Sequence, residues 1–372
     1  MQLVLDQQQQ ELRTAVRKFL ADHSPPERVR AVMDGSDVTD GYDRELWRRL
    51  ATELGLVGLV VPEQHGGSGA GHVERCVVAE ELGRVLTPVP FLASAVLAVD
   101  TLLALDDVAA QAELLPQLAS GDLVGAVAVA EPGGSWYTAA TGTTASMRDG
   151  TWVLDGCKTH VVSGDVAEFV LVHARTPEGT GWFLASGDAP GLRRTPLRTL
   201  DPTRQLSRLD FAATPVRPLA GDAAAVLAAV TDRAVVALAA EQVGGMERVL
   251  EMTTEYAKVR VQFGRTIGSY QAVKHGCADM YSAVEQACSA LRYAAWTADH
   301  DTAQLPLAAA LAQVVVSPAY FQATADTVVL HGGIGYTWEH DAHLYYKRAK
   351  TSELLFGSGE QQRQRLADRL GI

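Results

Sequence analysis

The chain has 372 residues, 47% hydrophobic and 20% charged, the balance of a soluble globular protein with room for two or three domains. Its net charge of −12 argues against nucleic acid or an anionic membrane surface as the main partner. The opening MQLVLDQQQQELRTAVRKFL reads as an amphipathic helix rather than a leader, and no stretch approaches a membrane-spanning length without a charge or a breaker.

In chain order, residues 1–122 read mainly as helix. Periodic apolar segments run Leu12 to Leu20, Leu46 to Leu54 and Val73 to Leu86, separated by breakers such as Ser24-Pro25-Pro26 and Gly66-Gly67-Ser68-Gly69. From 123 to 222 the pattern shortens. VGAVAVAEP, TWVLDGCKTHVVSG, EFVLVHARTP, GWFLAS and LSRLDFAAT are strand-like, and no helices intervene, which predicts an antiparallel sheet or barrel. From 223 to 372 long helical patterns return, at about 225–258, 267–300 and 305–331, with shorter ones at 340–355 and 360–369. The predicted class is thus α+β multidomain: a helical domain over 1–122, a middle antiparallel β-domain over 123–222 and a helical domain over 223–372. Cys76, Cys157, Cys277 and Cys288 show neither CxxC pairs nor metal spacing, and read as reduced thiols of a cytoplasmic protein.

One carboxylate is out of place. Glu241 sits in a run, Ala234 to Met246, that otherwise carries no charge. Glu247, Glu251, Glu255 and Lys258 form one polar helical stripe, and Glu241 lies about 80° round from its centre at 100° per residue. It is either a solvated surface residue or a carboxylate facing an apolar cavity, where burial would raise its pKa and make it a usable base. Further on, RVQFGRTIGSYQAVKH gathers Arg260, Arg265, Lys274 and His275 beside Phe263 and Tyr270. Those cations either suit phosphate oxygens or complement helix ends. Gly332 and Gly333 follow a helix and are either a cap or a close backbone approach to a ligand. His331, His340 and His343 fit no metal motif, so no metal is expected.

Together these segments resemble the acyl-CoA dehydrogenase family over essentially the whole chain. LGLVGLVVPEQHGGSGAGHVERCVVAEELGR (54–84) is similar to the family's N-terminal signature and VAVAEPGGS (127–135) to the start of its β-domain. RVQFGRTIGSYQAVKHGCADM (260–280) and LHGGIGYT (330–337) are similar to its two C-terminal signatures. The resemblance implies a helical domain, a β-domain and a four-helix bundle, with FAD bound between the last two. It places Ala130 and Ser135 near the flavin ring, with Val162 and Ser163 of KTHVVSG on its other face. Arg260, Phe263 and Gln271 would meet the pyrophosphate and adenine region, and Gly332 and Gly333 would come from a neighbouring subunit. Ser358 completes the implied cofactor set. The implied reaction is α,β-dehydrogenation of an acyl-CoA thioester, in which a carboxylate takes the α-proton and hydride goes to flavin N5. An electron-transfer flavoprotein is the implied acceptor. A homotetramer or an α2β2 heterotetramer is the implied assembly.

Neither usual site of the base carries a carboxylate. Phe356 occupies the family's C-terminal Glu position, and Ala234 occupies the alternative position on the long helix. Glu241 comes seven residues after Ala234, on nearly the same helical face and about 10 Å along the axis. It is the expected base, with Glu353, Glu360 and Asp232 as rivals. Val329 stands where the family often has Gln. A non-catalytic partner subunit of a heterotetramer, and a flavin oxidase or monooxygenase relative, are the alternatives.

Overall fold

The computed structural model describes residues 3–35, 41–134, 136–137 and 142–372. Its elements are, in order, the helices α1 (Gln7–His23), α2 (Pro26–Met33), α3 (Arg44–Thr52), α4 (His72–Arg84), α5 (Val99–Ala104) and α6 (Val108–Ala119). The strands β1 (Gly125–Ala128), β2 (Thr144–Arg148), β3 (Thr151–Val162), β4 (Phe169–Thr176), β5 (Gly179–Ser186), β6 (Leu192–Pro196) and β7 (Leu206–Leu219) follow. Then come α7 (Ala223–Val259), a hairpin of β8 (Val261–Gln262) and β9 (Arg265–Thr266), α8 (Gln271–His300), α9 (Leu305–His331), α10 (Ala342–Leu354) and α11 (Gly359–Leu370). The α, β, α order of the sequence therefore stands.

Contacts group the chain into two units. The first comprises Met1–Arg30, His72–Thr87 and Val235–Ile372. Within it α1 packs on α4, α4 on α8, and α9 on α8, α10 and α11. Local signals start these helices. Asp6 and Gln9 form a capping box on α1, and Ser358 and Gln361 form another on α11. α4 and α7 approach closely at two glycines. A Cβ on Gly83 would sit 2.1 Å from the carbonyl oxygen of Glu241, and one on Gly244 1.8 Å from that of Glu80. Glycine at both positions lets the two backbones touch.

α4 is buried on every side, including Arg75, Glu80 and Glu81. Buried charges are tolerated only when paired. The Arg292 guanidinium clasps Glu80, with Nη2 donating to Oε2 at 2.7 Å. Arg17 donates to both oxygens of Glu81, at 2.8 and 2.7 Å, and Arg13 adds a third bond at 3.0 Å. Arg84 pairs with Glu251.

The second unit is Ala31–Gly71 and Pro88–Ala234. Its sheet closes on itself: β4 pairs with β5, β5 with β7, β7 with β3, β3 with β2, and β2 returns to β4. Most pairings are antiparallel, as expected; β1–β4 and the single β2–β4 contact are parallel. Two strands were not legible. TASMR and LRRTP carry almost no apolar alternation, because both ride on stronger neighbours, β3 and β7. Before the sheet, Leu92–Ala98 forms a fully buried π-helical stretch, and Ser94 Oγ accepts the N–H of Gly125 at 3.2 Å.

α7 and the segment Leu305–Tyr336 are long and apolar enough to cross a membrane by length and composition. In α7, 67% of that apolar window is buried inside the fold, which is what a core helix requires.

Candidate functional site

In the second unit the residues after β1 are bolted in place by β3. Lys158 is fully buried, and its Nζ donates to Val129 O and to Glu131 Oε1, both at 2.9 Å. The N–H of Thr159 donates to Ala130 O at 2.9 Å. Glu131 also accepts the backbone N–H groups of Gly142 at 2.7 Å and Thr143 at 2.8 Å. Burial alone would push the Glu131 carboxyl up. The bonds from Lys158, Thr143 and Gly142 outweigh it and bring the pKa down to about 2. Burial pulls the Lys158 ammonium below its ordinary range, with Glu131 opposing. Nearby, burial drives His173 down to about 4, so it is neutral at pH 7.

Ala130 therefore lies on an immobilised, buried turn. Ser135 falls outside the described residues. At the end of β3 the register with β7 shifts between Lys158 and Val161, a bulge that throws His160 into the left-handed region at φ +53°. Val162 and Ser163 follow, both buried, with Ser163 at φ +52° and its N–H donating to Gln205 O at 3.0 Å. Asp232, one rival for the base, is buried in this unit, as is Ala234.

In the first unit, Glu241 is neither solvated nor surrounded only by apolar groups. Its side chain is 11% exposed, and the buried Arg348 of α10 places Nη1 3.9 Å from Oε2. Phe356 is buried, at φ +61°. Glu353 pairs with Lys350 at 2.7 Å, and Glu360 is an exposed first-turn residue of α11. The hydroxyl of Ser358 caps α11.

The stretch after α7 is a tight hairpin. Phe263 and Gly264 both have positive φ, +51° and +81°, the combination a two-residue hairpin turn favours. That turn leaves Phe263 93% exposed. Arg260 is exposed at the hairpin's base and makes no ion pair among the described residues. Arg265 lies over the Tyr270 ring at 4.1 Å, and Gln271 opens α8 in the open. Gly332 and Gly333 are exposed, and a Cβ on either would meet nothing within 4 Å. Tyr256 stacks on His331 with ring centroids 4.5 Å apart, and His340 lies tilted against His331 at 4.3 Å.

Sequence reasoning missed Lys158, Glu131 and Arg348. The lone lysine of a strand-like segment was a readable signal for the first. Nothing local marks Arg348 as the partner of a residue on another helix.

Three family models match: acyl-CoA dehydrogenase N-terminal domain over residues 6–122, middle domain over 126–213 and C-terminal domain over 225–371. The chain is 40% identical to acyl-CoA dehydrogenase IpdE2 of Mycobacterium tuberculosis, over 97% of this chain and 96% of that protein. Among solved structures it is similar to the ChsE4-ChsE5 complex from Mycobacterium tuberculosis. There the identity is 30% and the TM-score 0.89, over 100% of this chain and 99% of that one. It also resembles a variant of the steroid ACAD Tcur3481-Tcur3483, at 33% identity and TM-score 0.87, over 98% of each chain. The chain belongs to the acyl-CoA dehydrogenase family of oxidoreductases.

Proposed function

We propose that the chain is an FAD-dependent acyl-CoA dehydrogenase in which Glu241 removes the α-proton of an acyl-CoA thioester. The observation that carries this reading is a largely buried carboxylate on α7, in a chain whose two usual base positions hold Phe356 and Ala234. FAD, when bound, supplies the acceptor for the β-hydrogen. The residues fit that group: an exposed guanidinium at Arg260 for phosphate oxygens, the flat face of Phe263, and open backbone at Gly332 and Gly333. Gln271, Ala130, Val162 and Ser163 complete the proposed contacts, with Ser135 and Ser358 as further members. Lys158 and Glu131 fix the turn that presents Ala130. The proposed domain limits are 1–122, 123–222 and 223–372, and the proposed location is the cytoplasm.

For Glu241 to work as a base, Arg348 must hold its carboxylate in one orientation without being its final partner. An α-proton of a thioester is a weak acid, so the reacting carbonyl also needs hydrogen-bond donors as enolate charge develops.

A second reading keeps the fold and moves the chemistry. A glutamate paired with a buried arginine is also a structural ion pair, and one matched structure is a two-component complex. In that reading the chain completes an α2β2 heterotetramer and a partner carries the base. Exposed apolar side chains at Val259, Phe263, Tyr281, Val329 and Tyr336 suit an oligomer of either kind.

The test is the Glu241→Gln variant, assayed with an electron-transfer flavoprotein and a panel of acyl-CoA thioesters that includes ring-bearing acyl groups. Normal flavin content and folding with turnover lowered at least a thousandfold supports the base. Full activity refutes it and moves the search to Glu353 and Glu360. Arg260→Ala should lose FAD on gel filtration while the apoprotein stays folded.

A further inference from the structure

A cavity of about 300 Å³ lies wholly inside the first unit, walled by the end of α1, the start of α2, the end of α4, and α7 and α10. That volume is well above what a single water needs, so the cavity has room for a small organic molecule. Leu20, Val29, Leu86, Met252 and Leu344 make one part of the wall apolar. Arg17, Arg84 and Arg248 make the other part cationic.

The charges do not cancel. Glu81 is taken by Arg13 and Arg17, and Asp341 by Arg30 at 2.6 Å. Arg84 and Arg248 are left with Glu251 and Glu247, and Arg13 already donates to Glu247 at 2.5 Å. Arg84 Nη2 is hydrogen-bonded to Glu251, but Arg84 Nη1 reaches Glu247 only at 3.8 Å and Arg248 reaches Glu251 only at 3.7 Å, so Arg84 Nη1 and the Arg248 guanidinium make no hydrogen-bonded ion pair among the described residues. Three guanidinium groups, Arg17, Arg84 and Arg248, and two carboxylates, Glu81 and Asp341, line this cavity, one positive charge in excess in a chain of net charge −12. Tyr345, in the same wall, adds no negative charge: burial pushes its hydroxyl up to about 12, and it donates to Arg84 O at 2.7 Å.

The wall is also shaped at a local cost. Leu86 sits in the left-handed region at φ +52°. The bonds Thr87 N to Leu82 O, 3.0 Å, and Leu86 N to Gly83 O, 3.3 Å, make it the capping position of α4, where glycine is usual. Leucine there carries about 1 kcal/mol of steric strain between its Cβ and the backbone, and places an apolar side chain against the cavity.

We propose that this cavity is a binding site for a small amphipathic carboxylate, its charge met by Arg84 and Arg248 and its apolar body held by Leu20, Leu86, Met252 and Leu344. One excess cation calls for a monoanion, and the apolar wall calls for a hydrocarbon body rather than inorganic phosphate. None of these residues belongs to the catalytic or cofactor set proposed above.

The experiment is titration calorimetry on the purified full-length protein with octanoate, against 1-octanol, acetate and inorganic phosphate. Octanoate should bind at least tenfold more tightly than the other three. Ala21→Trp, an exposed α1 position at the cavity's edge, and Arg248→Gln should each weaken octanoate at least tenfold and leave the fold intact. No octanoate binding by the wild type overturns the proposal. So does equal binding of acetate or phosphate, which would mean charge alone is recognised. Unchanged octanoate affinity in both variants also overturns it, because the ligand then sits elsewhere, the acyl site included.

Discussion

The close backbone contact at Gly244 sets a sharp test of the first unit's packing. Gly244 of α7 faces α4, and the methyl of a Gly244→Ala variant would lie 1.8 Å from Glu80 O and 2.6 Å from Glu80 C. Ordinary van der Waals contact begins at 3.4 Å, so the crossing must open by about 1.6 Å. Neither clashing atom can swing aside, because both are main chain. Opening the crossing loosens Val243 and Met246, which have no exposure, and strains the buried Glu80–Arg292 pair. Overpacking of this kind costs about 3 kcal/mol, at the upper end of the usual range. Alanine returns about 1 kcal/mol of helix propensity. The net expected loss is ~2 kcal/mol, read as a lower urea midpoint at unchanged slope. Gly83→Ala should behave alike, since its Cβ would meet Glu241 O at 2.1 Å, and it should also disturb turnover by shifting Glu241. Gly359→Ala is the control: its new methyl meets only the flexible end of Arg363, at 3.5 Å, so stability should hold or rise slightly. A Gly244→Ala protein as stable as wild type would mean that the two helices do not touch through their backbones.

Four further outcomes follow from the buried charges. Lys158→Met should destabilise the second unit by about 3 kcal/mol, because it strands the Glu131 carboxylate, and should release FAD; retention of both would refute the bolting of the Ala130 turn. Glu80→Ala should cost about 3–5 kcal/mol by leaving Arg292 unpaired, whereas the double variant Glu80→Met with Arg292→Met should recover most of that in the same denaturant titration. Stability should fall with pH in two windows. Neutral His173 resists protonation, so stability is full above pH 6.5 and declines toward pH 4; Glu131, depressed from 4.5 to about 2, adds stability above pH 4.5 that is lost as pH drops toward 2. His173→Phe should flatten the first decline in a pH series of melts. Burial pushes Cys76 and Cys288 up to about 12, so a thiol reagent at pH 7.5 should label neither until the protein unfolds.

What the sequence reveals depends on the range of the interaction. α7, α8 and α9 are legible within a few residues, because Ala, Leu and Met repeat at helical spacing over 27 residues or more. β3, β4, β5 and β7 announce themselves through Val, Phe and Trp. β2 and β6 do not, and the β8–β9 strands are two residues each, too short for any pattern. Their turn could be read, since Phe263-Gly264 ends one helix, but not the hairpin that lifts Phe263 into the open. The ion network is illegible for another reason. Arg13 and Glu247 are 234 residues apart, and Glu80 and Arg292 are 212 apart. Periodicity marks only the element, whereas the nine residues of α4 from Arg75 to Gly83 are all buried, charged ones included. Its acidic residues were clues to partners, not to solvent.

That network changes how a buried carboxylate should be judged. In the first unit Glu80 and Glu81 are more deeply buried than Glu241, and both are structural. Burial alone therefore does not identify a base; the separate question is what each carboxylate does when its arginine is removed. For a structural pair, deleting either partner should give the same loss, as it should for Glu80 and Arg292. For a base held by a positioning residue, the two deletions should differ. Glu241→Gln should abolish turnover with stability nearly intact, while Arg348→Met should leave measurable turnover whose pH profile is displaced. Equal stability losses and no such displacement would place Glu241 with Glu80 as part of the scaffold, and the base would then have to come from a partner chain.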